Sequence, residues 1–189
     1  MLRPATVVDF SVLRALIRDN ALTGSLEREL ASDSRESALF FTNLRQALAT
    51  GYFVEEDPHT GNLETVALPG FVYLPDNRDA VHQPIGFGLF KAAAVGYELW
   101  LTGVESAWRG HGHGRAMLAA LFTTQPGKEA YVVRVHTAGR QSGAMEHLLL
   151  TFNYGCARRT SSFAWYLRHD APKDVGQQLR SAAPSLAAS

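Results

Sequence analysis

The chain has 189 residues, of which 46% are hydrophobic and 19% charged, with eighteen basic residues balancing eighteen acidic ones. That length is most simply one domain around a continuous core, and the balance of charge removes the electrostatic argument for a nucleic acid or an anionic membrane as partner. Cys156 is the only cysteine, which excludes an internal disulfide, and no apolar run approaches the ~18 residues needed to span a bilayer, so a cytoplasmic location is expected.

Phe10, Leu13, Leu16 and Ile17 recur at helical spacing over Asp9 to Asn20, with Asp9 or Ser11 as N-cap. Ala38, Phe41, Leu44 and Leu48 repeat the pattern until Gly51 stops it. Tyr52 to Glu56 reads as a strand, and Asp57 to Asn62 has turn chemistry, which predicts a β-ribbon. Leu63 to Leu74 is a strand interrupted by Pro69-Gly70, and Pro75 to Pro84 a loop. Ile85 to Phe90 and Tyr97 to Val104 have the composition of central strands. A buried helix over Arg115 to Phe122, a strand over Ala130 to His136, a helix over Ser142 to Phe152 and a strand over Ser161 to Leu167 complete the pattern. Beyond Asp170 the apolar rhythm fades. The expected organisation is one domain over residues 1–170 and a flexible tail over 171–189. The element order describes a mixed α/β domain, with helices packed on a mostly antiparallel sheet.

Arg109-Gly110-His111-Gly112-His113-Gly114-Arg115 stands between the second central strand and the helix after it. Glycines there permit sharp turns and close backbone approach, and the amides that open a helix favour an anion. The dinucleotide spacing G-x-G-x-x-G fails, because Arg115 or Met117 falls where the third glycine belongs, and no Gly-Lys-Ser/Thr is present for a nucleoside-triphosphate loop. What remains is R-x-x-G-x-G on Arg109, Gly112 and Gly114; the plain alternative is a tight turn and nothing more. His111 and His113 have no Cys, Asp or Glu beside them to complete a ligand set, so no metal is expected.

Val104, Arg109, Gly112 and Gly114 fit V-x-x-x-x-R-x-x-G-x-G/A, and Leu2 to Phe10 looks like a first strand and first helix start. The chain thereby resembles the GNAT acyltransferase superfamily over residues 2–168. The resemblance implies a twisted, mostly antiparallel sheet flanked by helices, and a co-substrate, acetyl-CoA or another acyl-CoA, with its pyrophosphate on the amides between Arg109 and Arg115. It implies that the strands beside the cofactor splay and that pantetheine lies along Thr102, Gly103 and Val104 as an added strand. Gly103 within an apolar strand is consistent with a bulge or a close backbone approach.

Glu98 lies six residues before Val104, where some family members carry their base glutamate. Apolar neighbours raise a carboxylate's pKa toward neutrality, which suits the task of taking a proton from an amine; a solvent-facing strand residue is the equal alternative. The family's second signature, an Asn and then a Tyr, is degenerate here, which leaves the acid that would protonate the thiolate unassigned: Ser142, His147, Tyr154 and Cys156 are the candidates, with Tyr154 the nominal catalytic choice, and departure of the thiolate without a dedicated acid is the alternative. Cys156 itself reads as a buried small apolar residue, and Arg158 with Arg159 as a solvated pair. The expected reaction is transfer of acetyl from acetyl-CoA to a primary amine on a small molecule or protein, without nucleic acid, membrane or metal, and with a homodimer left open. In the family, acceptor contacts come from stretches corresponding to 20–36, 69–84 and 137–143. A catalytically inactive acyl-CoA-binding sensor or interaction module of the same fold is the alternative from another class.

Overall fold

A computed structural model describes residues 1–57, 60–75, 83–137 and 142–181. In chain order the elements are β1 (Leu2–Pro4), α1 (Phe10–Leu22), α2 (Arg35–Thr50), β2 (Tyr52–Glu56), β3 (Leu63–Ala67), β4 (Gly70–Tyr73), β5 (Gly86–Ala92), β6 (Tyr97–Val104), α3 (His113–Leu121), α4 (Gln125–Lys128), β7 (Ala130–His136), α5 (Ser142–Thr151), β8 (Tyr154–Arg159), β9 (Phe163–Arg168) and α6 (Lys173–Ser181).

The described strands form a seven-stranded sheet in the order β1-β4-β5-β6-β7-β9-β8 and a separate β2-β3 ribbon. Every neighbouring pair in the large sheet is antiparallel except β6 and β7, which the α3–α4 crossover makes parallel. One core packs Leu13, Leu16 and Ile17 of α1 and Phe41 and Leu44 of α2 against Phe87, Leu89 and Leu101. The other packs Met117, Leu118 and Leu121 of α3 and Leu149 of α5 against Phe90, Leu99, Val133 and Val135. The sheet is therefore covered on both faces, but by different helices over different strands.

Two local signals set how the first helices enter. Asp9 receives the guanidinium of Arg3 at 2.7 and 2.8 Å and the amide of Thr6 at 2.9 Å, which ties β1 to the turn before α1. Ser34 caps α2 by accepting from the amide of Ser37.

Three expectations need correction. Leu63 to Leu74 is not one strand: β3 pairs with β2, and β4 joins the large sheet between β1 and β5. The segment after Asp170 is not tail throughout, since Lys173–Ser181 is helical and buries Val175, while 182–189 lie outside the described residues. Cys156 is exposed on β8, an element that was not expected from the sequence at all.

Candidate active site

The site begins where β6 and β7 part. Their parallel pairing runs through Tyr97↔Ala130, Glu98↔Val132 and Leu99↔Val133 and then stops, although β6 continues to Val104 and β7 to His136. On its other side β6 stays paired with β5 as far as Val104↔Gly86, with an irregularity where Leu89↔Leu101 is followed by Phe90↔Leu99. Trp100 is thus the extra residue of a bulge, a feature that increases local twist, at the point where β6 leaves β7. The bulge lies three residues before Gly103, where a bulge or a close backbone approach was expected.

A cleft with about 920 Å³ of non-atom space, open solvent included, fills the gap. One wall is Trp100 to Val104, another Arg134 to His136, and α3 and α5 contribute Gly114, Leu118 and Met145. Ser25, Leu26 and Glu27, from one of the stretches expected to meet an acceptor, close the side toward α1. Of the other two stretches, 76–82 and 138–141 lie outside the described residues.

The ladder with β5 fixes which backbone groups face the gap. The amide of Glu105 donates to the Ile85 carbonyl at 2.8 Å, so alternation points the polar groups of Gly103 at β5 and those of Thr102 and Val104 the other way. The Val104 carbonyl is already used: Arg109 Nε donates to it at 3.0 Å and Asn20 Nδ2 at 3.4 Å. The Thr102 hydroxyl turns back to the Phe87 carbonyl at 2.8 Å. The main-chain groups of Thr102 and the amide of Val104 thus point toward the space that β7 vacates.

Gly103 is small for a reason other than a ligand. A Cβ there would lie 2.3 Å from Oδ1 of Asn20, a fully buried α1 residue whose Nδ2 also donates to the Leu16 carbonyl at 2.8 Å. That Oδ1 accepts from Arg109 Nη2 at 2.9 Å, and Arg109 Nη1 reaches the Thr23 hydroxyl at 2.9 Å. Asp19 accepts from the amide and hydroxyl of Ser106 at 2.8 and 2.7 Å. The side chain of Arg109 is therefore a clamp between α1 and the loop after β6, with its donors turned inward.

The loop itself is open. Gly110 and Gly112 have φ of 80° and 83°, and a Cβ at either would meet nothing within 4 Å. Among the described residues no group accepts a hydrogen bond from the amides of Gly110 to Arg115; the first satisfied amide is that of Ala116, bonded to the Gly112 carbonyl at 3.1 Å. Gly110, His111, Gly112 and Arg115 are exposed, and His113 packs edge-on against Trp108 at 5.5 Å. Unsatisfied, outward amides at the start of an α-helix are an anion site by geometry and by dipole.

Glu98 lies just below the parting of the strands. It does not line the cleft; Arg134, which does, has its Nε 3.5 Å from Glu98 Oε1. That oxygen is buried and has no hydrogen-bond partner among the described residues. Burial pushes the carboxyl above its ordinary value, Arg134 and Lys91 pull it back, and Glu55 raises it again. The expected apolar setting is thus accompanied by two cations that sequence spacing did not reveal.

Tyr154 is corrected. It is 1% exposed, stacked on Phe122 at 5.2 Å, and its hydroxyl donates to the Ala130 carbonyl at 2.5 Å. Ala130 is at the paired end of β7, away from the gap, and burial pushes the phenol up to about 12. A committed proton in the core cannot serve a thiolate in the cleft. His147 and Cys156 are exposed outside it, and the Ser142 side chain is outside the described residues.

Sequence reasoning passed over Asn20, Arg134 and His136. Arg134 and His136 alternate with the core residues Val133 and Val135, so both fall on the opposite face of β7. Nδ1 of His136 is buried without a hydrogen-bond partner among the described residues, and its ring meets Phe163 at 5.5 Å. Strand alternation could have paired the two, but only the three-dimensional gap makes that face a wall.

No family model and no curated protein sequence matches the chain. Solved structures do. The PaiA N-acetyltransferase of Thermoplasma acidophilum in complex with coenzyme A superposes with a TM-score of 0.62 at 15% identity, covering 89% of this chain and 98% of that one. The ribosomal-protein-alanine N-acetyltransferase of Brucella melitensis gives 0.57 at 18% identity, covering 88% and 97%. The diaminobutyrate acetyltransferase of Paenibacillus lautus, bound to L-2,4-diaminobutyric acid and coenzyme A, gives 0.54 at 14% identity, covering 89% and 93%. With the mostly antiparallel sheet and the loop before α3, these likenesses give the chain the fold of the GNAT acetyltransferases.

Proposed function

We propose that the chain is an acyltransferase that moves an acyl group, acetyl in the first instance, from its CoA thioester to a primary amine. The observation that carries this reading is the run of unsatisfied amides from Gly110 to Arg115 at the mouth of a cleft formed where β6 and β7 diverge. A diphosphate on those amides would be held at the N-terminus of α3. The pantetheine arm would then extend along Thr102 and Val104 and borrow their free main-chain groups as an added strand does.

The chemistry asked of the protein is modest. The nitrogen lone pair of a neutral amine attacks the thioester carbonyl carbon, the C–S bond breaks and the thiolate leaves, and the nitrogen sheds a proton. The Val104 amide is our assignment for the donor that faces charge developing on the thioester oxygen. Glu98 is our assignment for the proton acceptor, acting through a water because it stands behind Arg134. His136 is the second candidate, on the specific ground that it lines the cleft and holds an Nδ1 without a partner among the described residues.

Calorimetry with acetyl-CoA tests the binding half of the proposal, and thiol release over an amine panel tests transfer. Glu98→Gln is expected to lower turnover ~10²–10⁴-fold with acyl-CoA affinity unchanged. In the wild type, the acid limb of the rate profile should lie above the range of an ordinary carboxylate, the direction set by burial of Glu98. Full turnover in Glu98→Gln together with loss in His136→Gln would transfer the role to His136. CoA binding without turnover on any amine would favour the sensor reading, which draws support from the absence of a tyrosine in the described cleft wall.

A further inference from the structure

We propose that Arg134 is the specificity determinant for the acceptor, and that it selects amines carrying a carboxylate, as amino acids do. The inference rests on the acyl-transfer reading for the identity of the reacting group, but its own evidence is separate from the phosphate loop.

Arg109 and Arg134 line the cleft and Lys91 lies beyond its lining on β5; two of these three cations are taken. Lys91 is paired with Glu55 at 2.6 Å. Arg109 spends its donors on Val104, Thr23 and Asn20. Arg134 makes no hydrogen bond with the described residues, and its acidic neighbour Glu98 comes no nearer than 3.5 Å, at Nε. The terminal Nη pair is left over, and that edge of a guanidinium matches a carboxylate with two parallel bonds.

The group is held in place for the task. Its Cζ lies 4.8 Å from the ring centre of Phe163 and 5.8 Å from that of Trp100. Both rings line the cleft, and flanking aromatics restrict the rotamers of a long side chain without consuming its donors. Arg134 follows Val133, the last β7 residue paired with β6, so it stands at the base of the gap. An anion bound there would lie beside the strand on which the thioester is proposed to rest, which suits an amine a few bonds from its carboxylate. Glu27 lines the α1 side of the cleft and has no ion pair among the described residues, so a zwitterion meets both signs on entry.

The test uses matched pairs that differ by the carboxylate: L-phenylalanine against phenethylamine and L-lysine against cadaverine. CoA-loaded protein is titrated with each by calorimetry, and the pairs are repeated as acceptors in thiol release. The carboxylate member of at least one pair is expected to bind about 10–100-fold more tightly. Arg134→Gln should erase that difference with CoA affinity intact, and Arg134→Lys, a point charge without the fork, should keep part of it. Equal binding within both pairs, binding of neither member of either pair, or discrimination that survives Arg134→Gln overturns the proposal. The wild-type comparison needs no variant, so a misfolded Arg134→Gln leaves it decisive. Failure to bind CoA would instead remove the acyl-transfer reading, and the same pairs titrated without CoA would still judge Arg134.

Discussion

Gly103 and Gly112 belong to one motif region, yet they lack a side chain for opposite reasons. Around Gly103 space is exhausted: the carboxamide of Asn20 occupies the place of a Cβ, and Arg109 closes over it. Around Gly112 space is empty, and the residue is set apart by its φ of 83°. The first glycine serves the packing of α1 against β6. The second sets the direction of amides that no group among the described residues accepts. A glycine-rich pattern in a sequence therefore mixes architecture and ligand geometry, and the neighbours decide which is which.

The larger effect is expected at the crowded glycine. Gly103→Ala puts a methyl into Asn20, which is fully buried and anchored to Leu16 and Arg109, so a rotamer change would break several bonds at once. Overpacking of this kind should cost about 3 kcal/mol, read as a lower denaturation midpoint. Asn20→Ala relieves the crowding but strips Arg109 of an acceptor, a loss of about 1–3 kcal/mol alone. If the clash is the cause, the double variant should be less destabilised than the sum of the two by ~1–2 kcal/mol. Strict additivity would mean that Gly103 is small for some other purpose, and the contrast with Gly112 would collapse.

Much of this framework was legible in the residues. β2, β6 and β7 fall at the expected positions because runs such as Tyr97 to Val104 and Ala130 to His136 are bounded by turn residues on both sides. β8 was not, since Tyr-Gly-Cys-Ala-Arg-Arg has no β-branched residue and is a strand only through its partner β9. The phosphate loop was visible because its signal is local. The acceptor wall was not, because Arg134 and His136 become a cleft surface only where β7 loses β6, beside the bulge at Trp100, and that parting is a feature of the sheet and not of either strand's sequence. Tyr154 misled for a related reason: position after a helix does not say which end of the sheet a side chain reaches, and this one lies at the paired end.

The smaller stability effect, with the larger functional one, is expected at the open glycine. Gly112→Ala meets no atom, so its cost is that of a left-handed backbone for an alanine, about 1–2 kcal/mol, and the fold should survive with a modest shift of the melting midpoint. The strain is relieved by moving φ toward negative values, which would turn the amides at the start of α3 away from their common focus. Calorimetry should then show CoA affinity reduced about 10-fold, the equivalent of one weakened charge-assisted contact, while the amino acid discrimination assigned to Arg134 is preserved. A Gly112→Ala protein that melts lower yet binds CoA as tightly as the wild type would place the diphosphate elsewhere, because the same torsion that strains the alanine is the one that aims the donors.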